Sequence, residues 1–452
     1  MDSTDEITRL RSLLEAAENR ASIEKSRREE EQRRREEAEE LAKESQPQTL
    51  PQYLEACHSL SLAIQVVTNR SLTTQGETTN PTGRLYPRRI IPWQDFAARQ
   101  ERIWERLSNG DLFPHQPSFP TTNQLAYVLS LINPISSEVG LRDYERDTVE
   151  NAVRKLFTEA YHDPQLRSDF GLQGNISFES HTNLGSDALA GPMERISDSN
   201  KNQFCISRNE HGQNAPAVAI EYKPPHKLTR EEIVVGLGSE IHPQRDVIHQ
   251  TGEGFEFAAR SLAAAVVTQL FSYMIGKGVQ YGYVCTGEVF VFLFIPQDPT
   301  TVYYYVSVPN LDVVDEDASR LHRTAVAQVF AFILQAVCAK PPPASWHDAT
   351  ADLDTWAVEY DDVLREIPAT IRKERPLSAY NPQRWKGFQR SPIRTRSRCT
   401  RPQDTLPNQS DDEDEERMPS PTPNRRSDSA RSTATAGTQR PTAKQDGGGK
   451  EE

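Results

Sequence analysis

A long apolar helix set between two groups of strand-like runs is the feature that most limits how this chain folds. The helix runs over residues 255–277 and stops at Gly278. Before it come three runs with strand character, at residues 175–181, 203–208 and 217–222. The second and third are joined by a polar link, residues 209–214, that contains Gly212 and reads as a hairpin turn. After it come residues 281–285, 289–295 and 302–308, rich in aromatic and β-branched side chains. An amphipathic helix of about five turns is predicted upstream, over residues 144–161, where Val149, Ala152, Val153, Leu156, Phe157 and Ala160 recur at helical spacing. A last buried helix, residues 321–338, ends at a proline triplet. Strands grouped around one long crossover predict an α/β fold of the α+β kind, a mixed sheet with helices on its faces, instead of strict strand–helix alternation.

Only part of the 452 residues can be core, because 31 are proline and 26% are charged. Residues 1–46 hold a run free of Gly and Pro, with Ile7, Leu10, Leu14, Ala17 and Ala21 in a/d spacing. Continuing that register puts Glu24, Arg28, Glu31 and Arg35 on the seam, so pairing is confined to the first heptads. Two readings stand, a solvated helix held by i,i+4 charge pairs and a homodimer or partner helix through residues 5–44. Residues 50–140 form a helical lead-in; Pro92 and Trp93 open a helix that carries Phe96, Ile103, Trp104 and Leu107 into the core. Residues 141–375 form the α/β domain, and residues 376–452 are expected to be disordered for want of any apolar period. In that tail a basic run from Arg384 to Arg401 precedes an acidic block, residues 411–416. The run reads as solvated charge or as a nuclear-import or phosphate-binding segment, with Ser410, Ser420 and Thr422 as phosphorylation candidates.

No run of about 18 apolar residues is present, so no membrane span is expected. The acidic start lacks an apolar h-region and does not read as a secretory signal. Five widely spaced cysteines without a C-x-x-C pair fit a reduced, intracellular compartment. His226, His242, His249 and His322 show no metal-ligand spacing, and neither a P-loop, a nucleophile elbow nor a G-x-G-x-x-G is present. The net charge of −13 disfavours nonspecific attraction of the whole molecule to nucleic acid, while leaving room for a local basic surface.

The chemistry concentrates in Glu221-Tyr222-Lys223, the chain's only acid-x-lysine, at the end of the strand Ala-Val-Ala-Ile-Glu-Tyr-Lys. Period-2 alternation puts Glu221 and Lys223 on one face, which is costly in a buried strand unless they pair with each other or with a metal ion. On the next helix Gln269 and Tyr273, the only Gln-x-x-x-Tyr, share a face with Leu262 and Val266. The bland alternative is a rim ion pair beside a surface amide and a core tyrosine. This arrangement resembles the restriction-endonuclease-like, or PD-(D/E)xK, nuclease superfamily, whose core runs helix, three strands, helix, strand, over about residues 143–295. The region 50–390 is also similar to a group of uncharacterised fungal proteins.

The superfamily resemblance implies that Glu221 binds Mg²⁺, that Lys223 orients or activates water, and that Gln269 and Tyr273 contact nucleic acid near the scissile phosphate. It further implies an assisting acid from the first helix, Glu150 or Glu145. The chain departs from the pattern where an aspartate is usual, since Asn202 stands there and offers only a neutral oxygen as a metal ligand. Glu179 and Asp198 are the nearby acids that stand as candidates to replace it. The functional expectation is therefore a nucleic-acid-binding or metal-dependent nuclease-like protein, weakened at Asn202. The alternative is a noncatalytic scaffold that recruits partners through its first helix and tail.

Overall fold

The computed structural model describes residues 3–74, 83–110, 112–180, 203–209 and 214–373, together with Tyr380 and Pro382. Residues 181–202, the hairpin link at 210–213 and the tail with its basic run, acidic block and phosphorylation candidates lie outside the described residues.

Seven strands form one mixed sheet in the order Arg89–Pro92, Thr301–Ser307, Phe290–Phe294, Tyr281–Cys285, Asn214–Tyr222, Gln203–Asn209, Gly174–Ser180. The last three named are an antiparallel meander, Gly174–Ser180 to Gln203–Asn209 to Asn214–Tyr222. Helix Gly254–Lys277 then crosses over, and Tyr281–Cys285 returns parallel to Asn214–Tyr222, with Val218 opposite Tyr281 and Glu221 opposite Val284. A parallel return requires such a connection, because a hairpin joins only antiparallel neighbours. Gly278 closes the crossover helix at φ 64°, the left-handed conformation that glycine adopts without a Cβ penalty.

Each face of the sheet carries its own apolar cluster. Ile176, Cys205, Ile220, Tyr222 and Tyr283 face helices Leu50–Ser61, Phe96–Ser108, Asn151–His162 and Ala325–Val337. Phe204, Ile206, Ala219 and Val284 face the crossover helix through Leu262, Val266, Leu270 and Phe271. By length and composition Gly254–Lys277 is apolar enough to cross a membrane, but 89% of its most apolar window is buried inside the fold, so it serves here as a core helix.

The mixed sheet, its flanking helices and the N-terminal helix, Ser3–Glu44, follow the sequence pattern. Three expectations change. Pro92 ends an edge strand, parallel to Thr301–Ser307, and the helix begins later, at Phe96. Proline is tolerated at such an edge because its missing N–H is not needed by a second neighbour. The predicted helix over 144–161 begins earlier, at Glu138, where the Ser137 hydroxyl accepts from the Gly140 N–H at 3.0 Å, and a π-helical turn, Arg146–Glu150, interrupts it. Finally, residues after 340 supply a cap: strand Thr355–Ala357 pairs antiparallel with Gly83–Leu85, and helices Tyr360–Glu366 and Ala369–Lys373 follow.

Candidate functional site

The strand Asn214–Tyr222 lies inside the sheet, so its far end is not a solvated rim. Alternation sends Ile220 and Tyr222 to one apolar cluster and Ala219 to the other, and Glu221 follows Ala219. Pairing continues one residue past the strand, Lys223 donating its N–H to the Cys285 carbonyl at 2.9 Å. Both charged side chains are buried, Glu221 2% and Lys223 3% exposed. Lys223 Nζ stands 2.6 Å from Glu221 Oε1, and Gln269 Nε2 donates to the same oxygen at 3.1 Å. One helical turn further on, Tyr273 stacks on Phe204 at 5.0 Å between ring centroids. The four sequence-predicted residues therefore share one face of the sheet, with Gln269 in direct contact with the acid and Tyr273 against the neighbouring strand.

The ion pair extends into a partly buried chain of alternating charge. Lys223 Nζ lies 3.5 Å from Glu138 Oε1; Lys227 Nζ reaches Glu138 Oε1 and Asp361 Oδ1, each at 3.0 Å. The Tyr360 ring covers the Lys223 ammonium at 5.0 Å, and its hydroxyl donates to the Lys227 carbonyl at 3.0 Å. Arg372 ties the cap down through Glu232, at 2.5 and 2.8 Å, and the Lys227 carbonyl at 2.9 Å. Burial pushes the Glu221 carboxyl up, against the pull of Lys223. For Lys223, burial favours the neutral amine, but Glu221 and Glu138 outweigh it and hold the ammonium above its ordinary range. Lys223 is thus a protonated donor.

Glu138, Lys227, Tyr360 and Asp361 did not emerge from the motif. Lys227 follows Lys223 across Pro224 and Pro225, a spacing that keeps two lysines close, but its partners come from elements far away in sequence. Glu150 requires a correction. Its carboxylate accepts from Gln203 Nε2 at 3.0 and 3.1 Å and from the Tyr222 hydroxyl, and Tyr222 points away from Glu221. Glu150 therefore lies across the sheet from Glu221 and does not share an ion with it. Glu145 is buried on that same far side, against Cys285. Burial raises the two carboxyls to about 7 for Glu150 and about 8 for Glu145. Glu179 accepts from the Ser177 hydroxyl at 2.8 Å and pairs with Arg208. Asn202 and Asp198 lie outside the described residues.

Whether these residues suit a divalent cation is decided by what is left unsatisfied. Among the described residues no three His, Cys, Asp or Glu side chains form a metal-holding group. Among the described residues, Glu221 Oε2 and Gln269 Oε1 are, however, buried oxygens without a hydrogen-bond partner. A carboxylate oxygen and a neutral amide oxygen, on side chains joined by the Gln269–Glu221 hydrogen bond, are hard donors of the kind Mg²⁺ takes.

Fold and site together define a mixed α/β protein with an acid–lysine pair buried beside its crossover helix. Residues 167–341, which span most of the sheet and the crossover helix, match the family described as the Spore killer 2 N-terminal domain. Meiotic driver SPOK2 of Podospora anserina is 27% identical over 436 residues, covering 84% of this chain and 55% of that protein. The chain thus spans little more than half of that relative's length, and it is similar to the fungal Spore killer 2 proteins. Lon protease of Mycoplasma genitalium is 24% identical over 216 residues, covering 42% of this chain and 26% of that protein. No solved structure matches.

Proposed function

We propose that this chain is a meiotic-driver-like protein that binds nucleic acid at a metal-dependent, nuclease-like site built on Glu221, Lys223, Gln269 and Tyr273. The observation that carries the reading is the joint contact of Lys223 and Gln269 with one oxygen of the buried Glu221 carboxylate. The element order supports it as well: an antiparallel meander, a crossover helix and a parallel fourth strand follow the succession of the PD-(D/E)xK core. Under this reading Glu221 Oε2 faces the cation. Bound Mg²⁺ would supply charge neutralisation at a phosphoryl oxygen and a more acidic water. Lys223, kept protonated by its carboxylates, orients water or a phosphate oxygen by donating hydrogen bonds and does not act as the base. By the superfamily resemblance, Tyr273 and Gln269 contact the strand being read near its scissile phosphate.

A second reading, a noncatalytic scaffold, is favoured by Tyr360 covering Lys223 and by Asn202 standing where the superfamily has an aspartate. The two separate in one assay. The full chain is incubated with plasmid DNA and with single-stranded RNA in Mg²⁺ or Mn²⁺, beside Lys223→Ala and Lys223→Met, each checked for native circular dichroism. Metal-dependent cleavage by the wild type that both variants lose supports the enzyme. No cleavage with retained nucleic-acid binding reduces the proposal to binding, and neither leaves the scaffold.

A further inference from the structure

We infer that the side-chain oxygen of Gln269 is itself a ligand of the divalent cation, supplying from the crossover helix the second protein oxygen beside Glu221. The inference rests on the proposed metal-dependent site and assigns to Gln269 a role the resemblance does not, since there the glutamine contacts nucleic acid.

Glu221 Oε1 accepts from Lys223 and also takes a bond from Gln269 at 3.1 Å. Only the NH₂ end of an amide can face a carboxylate oxygen, because the carbonyl end would set two acceptors against each other. The orientation of Gln269 is therefore dictated by Glu221, and its Oε1 must turn away from that oxygen. Among the described residues that Oε1 is buried without a hydrogen-bond partner, and so is the remaining Glu221 oxygen. Two orphaned acceptors on neighbouring side chains, joined by one hydrogen bond, are expensive to bury unless something positive is shared between them.

Charge points the same way. The partly buried chain holds three carboxylates, Glu221, Glu138 and Asp361, against two ammonium groups, Lys223 and Lys227. The neighbouring Arg84–Glu359 and Arg372–Glu232 pairs are each neutral, so among these described ion pairs carboxylates outnumber cations by one. With no third His, Cys, Asp or Glu grouped there among the described residues, a cation must complete its shell from neutral oxygens and water. On the crossover helix Gln269 is the side chain that hydrogen-bonds Glu221, with Tyr273 one turn further on.

Mn²⁺ binding to the full chain, followed by electron paramagnetic resonance and by the thermal midpoint with and without the ion, tests this without any substrate. Gln269→Met keeps the bulk and removes the oxygen; it is expected to weaken Mn²⁺ binding by about tenfold or more, the scale on which even outer-shell partners matter. Gln269→Glu puts a second carboxylate beside Glu221. It is expected to lower the midpoint without metal and to show a larger Mn²⁺-induced rise than wild type, which a residue that only bonds Glu221 or contacts nucleic acid would not produce. If Gln269→Met binds Mn²⁺ like wild type while Glu221→Gln loses it, Gln269 is no ligand and the metal site itself stands. If wild type and Glu221→Gln bind Mn²⁺ equally weakly, the metal reading and this inference fall together.

Discussion

Lys223 and Glu221 differ in what each leaves behind when removed. Lys223→Met strands a buried carboxylate with only the Gln269 amide, and breaking one side of a buried pair typically costs about 3–5 kcal/mol. The double variant Glu221→Gln with Lys223→Met removes both charges and is expected to recover much of that loss. Urea denaturation of the three proteins measures it; equal stabilities for the single and double variants would show that the pair is solvated after all. Across the sheet, Glu145 and Glu150 give a pH signature of the opposite kind. Burial raises both carboxyls from 4.5, to about 8 and about 7, so in that window the folded chain holds protons that the unfolded chain releases. Their contribution is complete below the unfolded value and disappears as pH rises through the folded ones, with a slope of about 1.4 kcal/mol per pH unit for each proton. Stability should therefore fall from about pH 5 to about pH 8, and Glu145→Gln with Glu150→Gln should flatten the curve. Glu221 and Lys223 were legible in the sequence because a unique spacing met strand alternation. The opposite placement of Glu150 was not, since a helical pattern names the face toward the core without saying which face of the sheet that core covers.

Between elements, the cap formed by Thr355–Ala357, Tyr360–Glu366 and Ala369–Lys373 decides how open the site is. Its grip is local: Tyr360 over Lys223, Asp361 on Lys227, Arg372 on Glu232. The amides beneath it are bonded in short turns, Lys227 and Leu228 both donating to the Pro224 carbonyl, and depend on cover for protection. Tyr360→Ala should speed hydrogen exchange over residues 223–228, with Tyr360→Phe, which loses only the bond to the Lys227 carbonyl, falling between it and wild type. Unchanged exchange in Tyr360→Ala would mean that the cap does not seal the site. The crossover helix and the strands on either side of it were legible because apolar runs of those lengths admit few alternatives. The cap was not. Its helices are short and polar outside, and it is held by pairs such as Arg84 with Glu359 that lie far apart along the chain. The edge strand at Arg89–Pro92 was hidden for a related reason: four residues ending in proline carry almost no period.

At the scale of the whole molecule, the N-terminal helix stands apart from the economy of the sheet. Every described side chain from Glu6 to Lys43 is exposed, including Ile7, Leu10, Leu13 and Leu14. What holds the helix is its own surface, with Arg28 on Glu24 at 2.7 Å, Arg34 on Glu30 at 2.6 Å and Arg35 on Glu31 at 2.8 Å. Such exposed i,i+4 pairs contribute about 0.3–0.5 kcal/mol each, screened by salt. They sustain the helix without linking it to the core. A chain lacking residues 3–44 should therefore melt at the same temperature as the full chain, while salt should reduce the far-ultraviolet helix signal only when those residues are present. The apolar a/d positions end at Ala21, too short a seam for strong pairing, so sedimentation equilibrium at micromolar concentration should return the monomer mass. A dimer that disappears on truncation would instead assign Ile7, Leu10 and Leu14 to a partner helix. A lowered melting temperature would mean that the helix is bound to the body by contacts not seen in its exposed surface.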